Sequence, residues 1–233
     1  RNSSTDVSIS VLSDAVYPTA VGGFIGGSGS NGDITSGNLI EDCTSLVDIV
    51  LPTGTSIGGF IGGLDEGKEA TVNNSSSSGL IRMGSVEFYN RDNIGGFVGE
   101  IFGFLWANDQ LITINESHST TTIILDPGDS GDSGHNIGGF AGRIISKAVI
   151  TDSYAIGQVS ALGSSSESIG GFVGLMNGDS TYIPSISGSY STGNVTMARD
   201  YSEKIGGFAG YINGNGTITN SYSTGDVANT AEP

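Results

Sequence analysis

The chain has 233 residues with 24 acidic against 8 basic side chains, a formal charge of −16. A balance this acidic leaves no basic stripe to release phosphate counterions, which argues against nucleic acid and against an anionic membrane surface as partners. Thirty-nine glycines against five prolines, with no Gly-x-y period, exclude collagen; the single cysteine, Cys43, excludes an intrachain disulfide; and no apolar run approaches the ~20 residues of a spanning helix.

The first residues, Arg1–Val7, align with Ser221–Val227 near the other end, so the segment opens and closes at nearly the same phase of a repeat. It begins without Met or a leader, and is expected to be a mature protein or a segment of a longer array. The repeat first appears as Val21-Gly22-Gly23-Phe24-Ile25-Gly26. It returns as Ile57–Gly62, Ile94–Gly99, Ile137–Gly142, Ile169–Gly174 and Ile205–Gly210. Its phenylalanines are Phe24, Phe60, Phe97, Phe140, Phe172 and Phe208, at steps of 36, 37, 43, 32 and 36 residues. A period in this range marks a stacked repeat architecture.

Each glycine-phenylalanine string is followed by a second one, clearest as Asn220-Ser221-Tyr222-Ser223-Thr224-Gly225-Asp226-Val227. Aligned, its copies give columns. Cys43, Ser75, Ser117, Ser153, Ser189 and Ser221 are always small, as are Ser45, Ser77, Ser119, Ala155, Ser191 and Ser223. Ile49, Ile81, Ile123, Val159, Val195 and Val227 are always β-branched. These positions share one parity, so in a strand they point inward together. The opposite parity holds Thr44, Ser76, His118, Tyr154, Tyr190 and Tyr222, expected to face solvent. A further apolar column, Ile40, Val72, Ile114, Ile150, Ile186 and Ile218, precedes the string.

No segment has sustained helical spacing with caps. The chain reads as all-β: a β-solenoid of about six stacked coils, ~36 residues per repeat and ~4.8 Å apart. It forms a single repeat domain over 1–233, with units centred on the six phenylalanines. Each unit reads as a Gly-Gly-Phe strand, a turn, a short strand, an Asx/Ser strand and a turn. Insertions are expected in Ser28–Gly37, Gly99–Thr113 and Leu125–Asn136. Strict alternation places Ile57 and Phe60 on opposite faces. Either that strand is covered on both sides, which is the favoured reading, or the glycine pair forms a bulge.

The strings Ile205–Gly210 with Asn220–Val227, and Ile169–Gly174 with Gly188–Val195, resemble the GLUG-motif repeats of bacterial surface proteins. The resemblance runs through all six units and is closest in the last three. It implies a β-solenoid stalk or adhesin region of a secreted or surface protein, and it carries no catalytic residue.

The search for chemistry returns little. His118 and His135 lie 17 residues apart on different parts of a unit and read as surface residues. Cys43, in a small inward column, reads as core. A glycosidase would need paired carboxylates, and only Glu116 and Asp152 sit in neighbouring units of the column Asp42, Asn74, Glu116, Asp152, Gly188, Asn220. No helix follows the glycine strings, so they are not phosphate-cradling loops. The chain is therefore expected not to be an enzyme and to need no cofactor. Asp126, Asp129 and Asp132, in a Gly/Ser loop, are the candidate hard-oxygen ligands for Ca²⁺. Asn2, Asn73, Asn74, Asn115, Asn194 and Asn215 head Asn-x-Ser/Thr sequons and are candidate glycosylation sites.

The expected role is a structural module of an extracellular or cell-surface fibre. It would assemble head-to-tail with itself, or with neighbouring repeats of the same chain, through unpaired strand edges. Asn2, Ser3, Val7, Asn220, Tyr222 and Val227 are the assembly candidates. The alternative is an adhesin that recognises glycan or a host surface through Phe102, Phe104 and Trp106. Ice binding needs a regular threonine array, and the column Leu46, Ser78, Thr120, Ile156, Thr192, Thr224 is mixed.

Overall fold

The computed structural model describes residues 3–10, 19–28, 38–65, 69–84, 90–103, 111–127, 133–162, 165–197 and 204–230. It is an all-β solenoid of parallel strands. One coil visits four sheets in turn: Gly54–Gly58 in sheet 1, Ile61–Asp65 in sheet 2, Ala70–Asn73 in sheet 3 and Ser76–Met83 in sheet 4. Sheets 1 to 3 hold six strands each, so the six expected coils amount to about five full turns. Sheet 4 has one rung more, because Ser3–Ser10 pairs with Cys43–Leu51. From His118 onward its rungs are each split into two short strands, as in Tyr154–Ala155 and Val159–Ala161.

The columns inferred from alignment are the ladders of the fold. Ile49, Ile81, Ile123, Val159, Val195 and Val227 pair in register, as do Ile40, Val72, Ile114, Ile150, Ile186 and Ile218. The six phenylalanine rings form one stack, with centroids 4.7–4.9 Å apart and planes within 12° of parallel.

Phenylalanine does not lie within a strand, as the alternation argument assumed. Each Gly-Phe pair is a two-residue corner where the chain leaves sheet 1 and enters sheet 2. The Phe97 carbonyl accepts from both Phe60 N and Ile61 N at 2.9 Å, which fastens the corner to the next coil. The corner divides the interior in two. Phe60, Ile61 and Leu64 pack with Val72 and Cys43 in one core, while Ile57 packs with Val47, Ile49 and Leu51 in another. Ile57 and Phe60 are thus both fully buried, on either side of a folded-back strand pair rather than of a flat strand.

Between the two cores sheets 1 and 2 meet backbone to backbone. A Cβ on Gly99 would lie 2.5 Å from Ile57 N and Ser56 C of the preceding coil, closer than any real carbon side chain. Glycine at this position is a steric requirement. Each sheet 1 strand up to the fifth coil also contains one left-handed residue just before its apolar position: Ala20, Ser56, Asn93, Asn136 and Ser168, with φ of 55–61°. The ladder skips that residue on both strands alike, so it is a left-handed kink repeated from coil to coil, with no extra residue on either strand, that aims Ile57 and its equivalents into the second core.

The corner between sheets 3 and 4 explains a second column. Asp42, Asn74, Glu116, Asp152, Gly188 and Asn220 all have positive φ, between 42° and 60°. Asp, Asn and Gly predominate there because they tolerate the left-handed region best. The small residue that follows closes the turn. Ser117 Oγ donates to Asn115 O at 2.9 Å and accepts from Ser75 N at 3.2 Å, and Ser153, Ser189 and Ser221 repeat the pattern. Buried hydroxyls are thereby satisfied along the stack. Cys43 takes the first place in this spine, its Sγ 3.1 Å from Glu41 O, and is buried. Length varies only at the other two corners, between sheets 2 and 3 and between sheets 4 and 1. The insertions are accordingly shorter than the three stretches the sequence suggested, with Gly99 and Leu125 still inside strands.

Gly99→Ala should therefore cost about 3 kcal/mol or more in urea unfolding, as a backbone collision that nothing nearby can relieve. Gly63, whose added Cβ would find only Ala20 Cβ at 3.7 Å and Ser56 Cβ at 4.0 Å, is the control, and Gly63→Ala should leave stability unchanged or raise it slightly. Equal tolerance of both substitutions would rule out the backbone-to-backbone packing.

Candidate functional site

The last coil is the place where the stack is open. In the interior the inward residues Met176 and Val195 are fully buried, yet their partners on the next rung, Ile212 and Val227, are 42% and 45% exposed. Tyr222 and Asn220 are exposed beside them. The strands Ile205–Gly206, Ala209–Gly214 and Thr217–Thr219 pair on one side only among the described residues, so each presents a free edge of N–H and C=O groups.

At the opposite end Ser3–Ser10 is the outermost rung of sheet 4, and its register differs from the alignment by two residues. Ser3 pairs with Cys43 and so belongs to the Ser221 column, not to that of Ser223. Val7 pairs with Val47, and it is Ile9 that heads the column ending at Val227. A shift of two keeps every side chain on its face, so parity alone left the two registers equal. The structure seats Ile9 over Ile49 and Val7 over Val47. Asn2, Phe104, Trp106, Asp129 and Asp132 lie outside the described residues. Phe102, half-buried, ends the sheet 2 strand Val98–Phe102.

Asp126 is already engaged. Its Oδ2 accepts from Arg82 Nε at 2.8 Å, and its main-chain carbonyl accepts from Arg91 Nη1 at 3.0 Å. A guanidinium on the carboxylate competes with a cation for the same oxygen. Among the described residues no group of three or more His, Cys, Asp or Glu is placed to hold a metal ion. Glu116 and Asp152 stand side by side on the exposed corner ridge of adjacent coils, whereas a glycosidase needs its carboxyls on opposite sides of the scissile bond. The five sequon asparagines that are described lie on the outside. Asn73 and Asn115 pair directly, one rung apart, so two glycans could not stand there together. Asn74 donates to Asp42 Oδ1 at 2.6 Å, Asn194 accepts from Asp226 N at 3.0 Å, and Asn215 donates to Asp179 O at 3.0 Å.

Two outer ladders carry most of the polar and aromatic contact. His118, Tyr154, Tyr190 and Tyr222 stack with centroids 4.6–5.2 Å apart. The faces between neighbours are spent on one another, and Tyr222, 55% exposed, ends the stack at the open coil. On sheet 1, His135 Nδ1 lies 2.8 Å from Asp92 Oδ1 one rung below, with Glu167 one rung above. On sheet 2, Arg143 donates to Glu100 at 3.1 Å, and Ser56 donates to the other oxygen of that carboxylate at 2.6 Å.

The two histidines respond oppositely to acid. The hydrogen bond to Asp92 raises the His135 pKa against the pull of burial, with the charges of Asp92 and Glu167 adding to it. Burial in the ring stack lowers that of His118. A raised folded-state pKa stabilises fully below the unfolded value near 6.5, and the gain is lost as pH rises through the folded value. His135→Gln should therefore destabilise most below about pH 6 and least at pH 8–9, as read by urea unfolding across pH. A deficit that grew with pH instead would contradict the pairing.

The family described as the GLUG motif matches residues 201–228. From residue 204 the matched stretch is a single pass through the four sheets: the Ile205–Gly210 corner, Thr217–Thr219, the left-handed Asn220 and the strands to Val227. Comparison with curated proteins and with solved structures found no match. The chain is a β-solenoid whose last coil carries a GLUG motif, and its ladders repeat that motif's core positions through the coils before it.

Proposed function

We propose that this chain is a structural module of an extracellular or cell-surface fibre, in which the open coil is covered by another coil of the same kind. The fold and the GLUG motif fit a repeat protein of the cell surface. The observation that carries the reading is the contrast between Ile212 and Val227, largely uncovered, and their fully buried partners Met176 and Val195. Covering two such side chains is worth about 1.5–3 kcal/mol each, and the free strand edges add ladder hydrogen bonds. The covering coil comes either from further repeats of the chain or from the first coil of a second copy, which presents the same four-sheet section.

Sheet 4 constrains how two copies meet. Its extra rung, Ser3–Ser10, is outermost. A neighbour's sheets 1 to 3 lie flush on the last coil only when that strand moves aside. With the strand in place, sheet 4 of one copy meets sheet 4 of the other first. Such head-to-tail contacts do not close and so build filaments.

The adhesin alternative rests on Phe102 and on the residues beyond it. In the external His118–Tyr222 ladder the ring faces between neighbours are occupied, and the outer face of Tyr222 lies at the open coil.

The open coil is tested with the double variant Ile212→Asp/Val227→Asp. Both residues are exposed, so the variant should keep the wild-type circular dichroism. Wild-type protein should form end-to-end rods in negative-stain micrographs, and the variant should remain as single particles. Rods of equal length from both proteins would contradict the proposal.

A further inference from the structure

The outer face of sheet 4 carries few charges for so acidic a chain, a property it shares with the narrower outer face of sheet 3, where Glu41 is the one permanent charge in the described strands. Among the described residues the seven rungs of sheet 4 carry Asp6, Asp48, Arg82 and Asp226 as permanent charges, on the first three rungs and the last, and Asp126, just past the end of the fourth rung, is paired with Arg82. The three rungs between, running from His118, Tyr154 and Tyr190, have none on this face. They present Thr120, Ile124, Tyr154, Ile156, Tyr190 and Thr192 outward instead. Ile156, at the middle of these three rungs, is 45% exposed, and Leu46, Val50 and Tyr222 are comparably exposed on the same face. Parallel sheets are ordinarily covered on both sides; this one is covered only on its inner side.

From this geometry we infer that two copies of the chain pair face to face through sheet 4, about a two-fold axis near Ile156. Three features select a second copy as the occupant. The first is charge: with −16 on each molecule, the uncharged middle rungs are a surface on which two copies can touch without opposing like charges. The second is area. The five rungs that a two-fold axis across the fifth rung superposes, at ~4.8 Å by roughly eight residues at ~3.3 Å, give about 600 Å² per partner, at the low end of specific interfaces. The third is period, since ridges spaced by the rung repeat interdigitate with a surface of the same repeat. The face is also pre-ordered. Stacking holds the rings of His118, Tyr154, Tyr190 and Tyr222, and β-branched Thr and Ile have stiff χ1 angles, so little side-chain freedom remains to be lost on association. The contact is isologous and closes at two copies, which separates it from the end-to-end contacts of the fibre. A glycan on the exposed Asn194 of this face would block it.

Sedimentation velocity over rising protein concentration tests the pairing. With its coil ends blocked by Ile212→Asp/Val227→Asp, the chain should pass from monomer to a dimer that gains no further mass. Ile156→Glu/Thr192→Glu should raise the dissociation constant by about 100-fold or more, the usual scale for a charge buried at the centre of an interface. Thr113→Glu/Thr217→Glu, on the outer face of sheet 3, should leave it unchanged. Ile156→Cys should give an intermolecular disulfide under mild oxidation, and Leu39→Cys, exposed on sheet 3, should not. Several results would overturn the inference: a monomer at every concentration, a dimer indifferent to the sheet 4 charges, or adsorption of the monomer to an insoluble polysaccharide without dimerisation. Growth of the end-blocked protein beyond the dimer would overturn it as well.

Discussion

Sheets 1 and 2 come together with nothing but backbone between them, and the rest of the solenoid is arranged around that contact. Because a Cβ on Gly99 would fall within 2.5 Å of Ile57 N and Ser56 C, and those on Gly62, Gly142, Gly174 and Gly210 as close to backbone, every coil from the second onward must place glycine at this point. The folded-back pair then acts as a partition. Phenylalanine turns its corner into one core, and the Ile57 column fills the other. Sheet 4 bridges both, lending Cys43 and Ala155 to the first core and Val47 and Ile49 to the second. A chain with 39 glycines loses more conformational entropy on folding than most. The offset comes from ladders that repeat one set of contacts at every rung, so stability accumulates along the stack rather than in a single centre.

Columns were legible because they are periodic. From the chain alone Ile40 aligns with Ile218, and Ser75 with Ser221, and parity says which of them face inward; the structure pairs those residues in register. Corners were not legible, because alternation describes a strand and says nothing about where it ends. Ile57 and Phe60 looked like opposite faces of one strand, whereas Phe60 lies in the corner beyond that strand's end. The column from Asp42 to Asn220 drew attention for its adjacent carboxylates, Glu116 and Asp152. Gly188 within it was the signal of a left-handed corner, since that backbone is what glycine shares with Asp and Asn. The first strand was placed two residues out of register, because such a shift keeps parity and two β-branched residues, Val7 and Ile9, competed for one column.

The candidate surfaces were harder still to read. Tyr222 and Val227 could be named from the repeat, but Ile212 and the uncovered end of the stack depend on three-dimensional burial. The uncharged stretch of sheet 4 is written in alternate residues of separate coils, such as Thr120, Ile156 and Thr192. It becomes visible once the outward parity is read across rungs. An architecture of this kind leaves function to ends, faces and insertions, and those vary without disturbing the glycine partition.

Removing one coil tests the ladder architecture most directly. Ser153 N donates to Ser189 Oγ across a step of 36 residues, so deletion of 154–189 joins Ser153 to Tyr190 and restores every column. The shortened protein should unfold cooperatively in urea, with the β-sheet circular dichroism of the parent and a smaller m-value. Deletion of 154–171, about half a coil, should leave the chain unable to form a cooperative stack. If the full-coil deletion collapsed as completely as the half-coil one, the chain would not be a stack of interchangeable coils held together by its ladders.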